Sequence, residues 1–127
     1  TLPALALAEF LRRGGYDHHL RRARRLFAEG IECGLAEIAR SFPDGTRVTR
    51  PRGGHMLWVE LPPKVDALEL FEAALRAGIS LAPGQLFSSR LGCRKFAHFV
   101  RLNCAYHAPE IVEQALRKLG NLVAERA

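Results

Sequence analysis

One arginine stands in the middle of an apolar, β-rich run. Arg101 lies between Val100 and Leu102 in residues 99–104. A guanidinium in such a place loses hydration, which is costly unless an anion pairs with it. Its planar fork can hold a carboxylate through two parallel hydrogen bonds. The residue is therefore a candidate carboxylate receptor, although the pattern also fits an arginine on a solvent-facing sheet surface.

Other candidate site residues lie near this run or in a turn before it. Strand alternation puts Phe99 and Asn103 on the same face as Arg101, so Asn103 is a candidate lining residue. Earlier in the chain, Pro83-Gly84 predicts a sharp turn, because proline restricts φ and glycine permits positive φ. That turn would aim Phe87 either over a pocket or along an ordinary surface connection.

The diglycine Gly53-Gly54 lets the backbone come close to a ligand or to a neighbouring helix. It is not a phosphate loop, because neither GxGxxG nor GxxxxGK[ST] occurs in the chain. No Gly-x-Ser-x-Gly elbow supports a serine hydrolase. The five histidines lack metal-ligand spacing, and no two cysteines form a CxxC pair; the cysteines are Cys33, Cys93 and Cys104. We expect the cysteines to be small buried side chains in a reducing cytoplasm.

The elements that must position these residues predict an α+β fold. Helices are expected over residues 3–13, 16–40, from 66 to a stop at Gly78, and from 109 to the end. Strands are expected over 46–50, 56–61, 79–82 and 99–104. The order α-α-β-β-α-β-β-α predicts a two-layer sandwich, with a small, mostly antiparallel sheet and helices on one face. The long apolar face of the first helix suggests that residues 1–13 are the trailing helix of a preceding domain, and we expect residues 14–127 to form a separate domain.

Composition is that of a globular domain, with 48% hydrophobic and 25% charged residues among 127. No apolar run approaches the roughly 20 residues that a membrane span needs. The net charge is +6, and six arginines lie between Arg12 and Arg25. This cluster predicts either a solvated helix face or a nucleic-acid contact.

Four segments together resemble the C-terminal small domain of fold-type I enzymes that use pyridoxal 5'-phosphate (PLP). They are a helix pair over residues 5–22, a strand pair with a central diglycine over 45–61, the turn Pro83-Gly84 with Phe87, and the arginine strand over 99–103. The resemblance is nearest to the aminotransferase-like module of MocR-type regulators in the GntR family, which follows a winged-helix DNA-binding domain.

That resemblance implies a role for Arg101 as the residue that binds the α-carboxylate of an amino-acid substrate or effector. Gly53 and Gly54 would leave room beside it, with Phe87 and Asn103 lining the pocket. PLP would be held mainly by a large domain outside this chain, and the intact protein would be a cytoplasmic homodimer. We assign no catalytic residue and no metal ligand within the chain.

Four functions remain open on the sequence alone. The first is the effector-sensing domain of a transcription regulator, and the second is the same domain in a stand-alone amino-acid aminotransferase. The third is a small basic nucleic-acid-binding module, which would lose affinity steeply with salt. The fourth is a packing scaffold, which would tolerate loss of Arg101.

We predict that the isolated chain does not form a covalent bond with PLP at one defined lysine. A lysine that reacts this way must be deprotonated, which needs burial or a cationic neighbour. The sequence contexts of Lys64, Lys95 and Lys118 suggest solvated side chains. The chain would be mixed with PLP, reduced with borohydride and digested. Scattered low labelling is expected, and stoichiometric labelling at a single lysine would refute the prediction.

Overall fold

Within the described residues, 1–89, 94–105 and 108–127, the elements follow the predicted order. The structure is a computed structural model. Its helices are α1 (Leu2–Arg12), α2 (Gly15–Ser41), α3 (Ala67–Arg76) and α4 (Pro109–Ala124). Its strands are β1 (Arg47–Val48), β2 (Met56–Glu60), β3 (Ala82–Pro83) and β4 (Phe99–Asn103), and a 3-10 turn covers Gly84–Phe87.

The four strands form one antiparallel sheet in the order β1-β2-β4-β3. The strands β1 and β2 form a hairpin, with Val48 opposite Val59. The longest pairing joins β2 to β4 over five residue pairs and places Trp58 opposite Arg101. The short strand β3 completes the sheet on the far side of β4, with Ala82 opposite Arg101. The prediction of a two-layer α+β domain is confirmed.

One face of the sheet carries the core. Alternate residues of β2 and β4 are buried on this side; they are Leu57, Val59, Val100 and Leu102. Residues from α2, α3 and α4 pack against them, including Ile38, Leu70 and Leu119. Burying each such side chain contributes about 1.5–3 kcal/mol. The residues between them in β2 and β4 therefore point to the opposite face.

Two glycines let α2 lie directly against the end of β4. A side chain at Gly30 would collide with the backbone carbonyl oxygen of Cys104. A Cβ atom at Gly34 would lie 2.8 Å from the Cys104 Sγ atom and 3.1 Å from Leu57 Cδ1. The small residues thus set how closely the helix layer approaches the sheet.

Two details differ from the predictions. The strand expected over residues 79–82 is found at Ala82–Pro83, because only these residues lie opposite β4. The backbone N–H of Ile79 instead donates to Ala74 at the end of α3. In α3, the apolar residues at three- and four-residue spacing predict a buried stripe of Leu70, Phe71, Ala74 and Leu75. Leu75 is instead 55% exposed. The buried face of α3 is rotated towards smaller residues, including Ala67 and Ala73.

The first helix buries none of its residues. Its exposed apolar side chains are Leu2, Leu5, Leu7, Phe10 and Leu11. Close packing against α2 occurs where the Phe10 ring lies over Gly15. The helix thus presents an apolar side that no other described part of the chain covers.

One buried carboxylate joins α2 to α4. Glu37 is 1% exposed and accepts hydrogen bonds from Ser41 Oγ, from Arg117 Nε at 3.2 Å and from Arg40 Nη1 at 3.0 Å. The hydrogen bond from Ser41, followed by that from Arg117, lowers the pKa of the Glu37 carboxyl below its usual value. No local sequence pattern marks this residue as buried, because its burial depends on where α4 packs.

We predict that Glu37→Gln lowers the thermal midpoint of the chain at pH 7 by about 5 °C. A lowered folded-state pKa stabilises the protein above the unfolded pKa, near 4.3, and this contribution is lost as the pH falls through the folded-state value. The difference between variant and wild type should therefore shrink below about pH 4.

Thermal unfolding followed by circular dichroism between pH 3 and pH 7 measures both effects. The matched control is Glu72→Gln, which removes an exposed carboxylate of α3. A difference for Glu37→Gln that stays constant over this pH range would contradict the assignment of a charged, paired carboxylate.

Candidate carboxylate site

The candidate site lies on the sheet face opposite the helices. Phe99 and Arg101 of β4 point to this face and are half-buried, whereas Val100 between them is buried in the core. On the neighbouring strand, Trp58 points the same way and lies opposite Arg101. The prediction that Phe99, Arg101 and Asn103 share a face is confirmed by this alternation.

The guanidinium of Arg101 lies against an aromatic ring. Its Cζ atom is 4.5 Å from the centroid of the Phe87 ring. Among the described residues, no carboxylate lies within ion-pair distance of it. The carboxylate of Glu60, on the same face of β2, is instead 3.7 Å from Arg47 Nη1 and 3.6 Å from His98 Nε2. Arg101 is thus a half-buried cation whose hydrogen-bond donors are not used by any anion in the described part of the chain.

Three phenylalanine rings contact the indole of Trp58, the residue opposite Arg101; they are Phe87, Phe96 and Phe99. The indole is stacked on Phe99, with centroids 5.5 Å apart and an interplanar angle of 21°. Phe87 and Phe96 each meet the indole edge-on, with 5.5 Å between centroids and an angle of 83°. The arrangement is well suited to fix ring orientations.

The turn that carries Phe87 packs closely against the segment before β4, and this contact, not a positive φ, requires a glycine at position 84. Gly84 has no positive φ, contrary to the reason we gave for it from the sequence. A Cβ atom there would collide with the Phe96 carbonyl oxygen and would lie 2.8 Å from the Phe99 Cβ. The glycine therefore lets the 3-10 turn rest directly on the segment before β4. This contact brings Phe87 to Arg101.

The diglycine lies elsewhere. Gly53 and Gly54 are exposed, and Gly54 has a φ of +82°. A Cβ atom at either position would have open space around it, with no contact within 4 Å outside the adjacent residues. Together with Phe27 and Ile31 of α2 they line a cavity of about 380 Å³. Neither Arg101 nor Phe87 lines this cavity. The described structure does not bring the diglycine to the candidate carboxylate site.

Asn103 is at the exposed end of β4. Its Oδ1 atom accepts a hydrogen bond of 2.9 Å from the backbone N–H of Ala105. The structure thus unites two of the five predicted site residues, Arg101 and Phe87. Sequence reasoning missed Trp58, because its place beside Arg101 depends on the pairing register of two strands that are distant in the chain.

The remaining reactive side chains are lysines, cysteines and histidines. Lys64, Lys95 and Lys118 are exposed. Burial raises the pKa of the Cys104 thiol to about 11. Cys33 is only half-buried, contrary to our expectation, because it borders a small cavity between α2 and α4. Cys93 and His107 lie outside the described residues.

The described part of the chain offers neither a metal site nor a membrane span. No group of three or more histidine, cysteine, aspartate or glutamate side chains there could hold a metal ion. No helix in this part has both the length and the apolar composition that a membrane crossing requires.

Sequence comparisons relate the chain to regulators and to aminotransferases. It matches no family model. It is 40% identical over 96% of its length to YdcR, an HTH-type transcriptional regulator of Escherichia coli, and covers 25% of that protein. The regulator YjiR of the same organism is 34% identical over 94% of the chain, which covers 25% of it. A 2-aminoadipate transaminase of Thermus thermophilus is 32% identical over 90% of the chain, which covers 28% of it.

Solved structures agree with this relationship. The alpha-aminoadipate aminotransferase of Thermus thermophilus, complexed with N-(5'-phosphopyridoxyl)-L-leucine, superposes with a TM-score of 0.81 at 31% identity. The match covers 94% of this chain and 30% of that enzyme. A multiple substrate aminotransferase from Thermococcus profundus, at 24% identity and a TM-score of 0.81, shares the fold. The chain thus spans about a quarter of the length of the curated relatives it matches.

Proposed function

Because this chain is an aminotransferase-like C-terminal domain of the family shared by HTH-type regulators and PLP aminotransferases, we propose that its Arg101 binds the carboxylate of an amino acid in the intact protein. One observation carries the proposal. A half-buried guanidinium on the sheet face away from the helices has no carboxylate partner among the described residues. A planar fork in such a place can hold a ligand carboxylate through two charge-assisted hydrogen bonds.

The chain's own residues fit the amino-acid part of such a site and not the cofactor part. All three lysines are exposed, so none has the burial that would favour a reactive neutral amine. When bound, PLP supplies the electron-withdrawing group that makes amino-acid chemistry accessible. In this proposal PLP is held by the rest of the intact protein, and this domain binds and orients the substrate carboxylate.

We favour a regulator over a stand-alone aminotransferase as the intact protein. The two regulators from Escherichia coli are 40% and 34% identical to the chain, whereas the transaminase from Thermus thermophilus is 32% identical. In a regulator, amino-acid binding at Arg101 would act on a DNA-binding domain elsewhere in the protein. The second candidate function, amino-group transfer, is supported by the superposition on an aminotransferase at 31% identity.

The assembly around the domain is part of the same proposal. The apolar side of α1, exposed at Leu2, Leu5 and Leu11, would pack against a large PLP-binding domain. Residues 1–13 would then be the trailing helix of that domain, and residues 14–127 the small domain. By family resemblance we place the intact protein in the cytoplasm as a homodimer that contacts DNA only through another domain.

We predict that Arg101→Ala weakens amino-acid binding by the intact protein about 30-fold or more. Truncating one partner of a partly desolvated, bidentate ion pair costs on the order of 2–5 kcal/mol. Arg101→Lys should also weaken binding, because an ammonium cannot form the planar two-bond contact. Binding of the twenty amino acids would be followed through the absorbance change of bound PLP.

The matched control is Arg76→Ala, which removes an exposed arginine from α3 in the other layer. PLP binding and thermal stability should stay nearly unchanged in all three variants. Unaltered amino-acid affinity of Arg101→Ala would sink the site assignment. A collapse of stability would show instead that Arg101 has a structural partner in the intact protein.

A measurement of DNA binding distinguishes a regulator from an enzyme. If the intact protein is a regulator, the amino acid that binds best should change its affinity for DNA upstream of its own gene. Arg101→Ala should then abolish that change without altering DNA affinity in the absence of the amino acid. Electrophoretic mobility shifts at fixed salt measure this, since such affinities depend on ionic strength. Rapid amino transfer to 2-oxoglutarate, with no effect on DNA binding, would favour the enzyme.

A further inference from the structure

We infer that Phe87 is a positioning residue for Arg101: its ring holds the guanidinium on the open sheet face, ready for a carboxylate. The inference rests on the proposed function and adds a role for a second side chain. Its basis is the contact between the Arg101 Cζ atom and the Phe87 ring, at 4.5 Å from the centroid. This distance lies within the range in which a cation over an aromatic face is attracted by the ring's quadrupole.

An aromatic partner matters because it leaves the hydrogen-bond donors of Arg101 unused. A half-buried guanidinium needs some compensation for lost hydration. An internal carboxylate would supply it but would compete with the ligand for the same hydrogen-bond donors. An aromatic face attracts the charge without being a strong hydrogen-bond acceptor, so the fork stays available. Phe87 therefore orders the arginine side chain before the ligand arrives, which reduces the entropy cost of binding.

The ring is itself held from two sides. Its backbone belongs to the 3-10 turn Gly84–Phe87, which rests on Phe96 and Phe99 at the position where Gly84 has no side chain. Its edge meets Trp58 at 5.5 Å, and Trp58 lies opposite Arg101 across the strand pair. At 39% exposure, Phe87 is accessible enough to border a ligand site. The contact with Arg101 is thus supported by the turn and by the neighbouring strand.

The chain offers a matched control. Phe96 meets the same indole at the same 5.5 Å and 83° as Phe87, but the cation over its ring is Lys95 and not Arg101. Phe96→Leu therefore removes an equivalent contact with Trp58 while sparing the arginine. Any effect shared by Phe87→Leu and Phe96→Leu reports on packing, and an effect confined to Phe87→Leu reports on Arg101.

The experiment uses the intact PLP-loaded protein and a pair of probes. The probes are the amino acid that binds best among the twenty, for instance L-leucine, and its carboxamide, for instance L-leucinamide. The ratio of their affinities measures recognition of the carboxylate alone. Phe87→Leu should lower this ratio about five-fold, Phe96→Leu should leave it unchanged, and Phe87→Tyr should retain it. Pentafluorophenylalanine at position 87, which keeps the shape but inverts the charge of the ring face, should lower it similarly.

A double-mutant cycle completes the test. In the Arg101→Ala background, Phe87→Leu should have no further effect on the ratio. An unchanged ratio with pentafluorophenylalanine, or equal losses in Phe87→Leu and Phe96→Leu, would overturn the inference while leaving the proposed function intact. If Arg101→Ala itself does not alter the ratio, the proposed function fails, and this inference fails with it.

Discussion

The antiparallel pairing of β2 with β4 is the constraint on which the rest of the structure depends. Five residue pairs fix one register, with Val59 opposite Val100 and Trp58 opposite Arg101. The side-chain period of a strand is two residues, so a slip of one residue would exchange the two faces. If β4 slipped in this way, the charge of Arg101 would enter the core, and Val100 and Leu102 would become exposed. The cost of burying an unpaired guanidinium and exposing these apolar side chains holds the register in place.

The same pairing gives the sheet a packing face and an opposite face that carries Arg101. On the packing face, glycines at positions 30 and 34 bring α2 against β4, and Glu37 ties α2 to α4 through Arg117. On the other face, the Phe87 ring lies against the guanidinium of Arg101. An arginine thus supported and lacking an internal anion among the described residues is suited to a ligand that arrives from outside the domain.

The relatives show how such a domain is used in different contexts. The chain covers about a quarter of two bacterial regulators and a similar share of a transaminase. A shared fold does not fix function, which depends on the particular groups at the site. The carboxylate-binding role proposed for Arg101 fits either context, because both a substrate and an effector amino acid carry the same anionic group.

The sequence by itself determined the order of elements, the α+β class and the alternation that puts Arg101 opposite the core side of its strand. These follow from local periodicity, from turn residues such as Gly78 and from the N-cap at Asp66, which accepts hydrogen bonds from two backbone N–H groups of α3. Family resemblance added the expected role of Arg101.

Only the tertiary structure decided which residues share the site. In the folded chain, Trp58 and Phe87 lie next to Arg101, and the diglycine lies beside α2. Strand β3 consists of the two residues that pair with β4. The tertiary structure also showed why position 84 is a glycine: the turn lies too close to Phe96 and Phe99 for a side chain, and no positive φ is involved. Contacts between segments distant in the chain depend on strand register and on how closely layers pack, and neither is encoded in the local pattern around one residue.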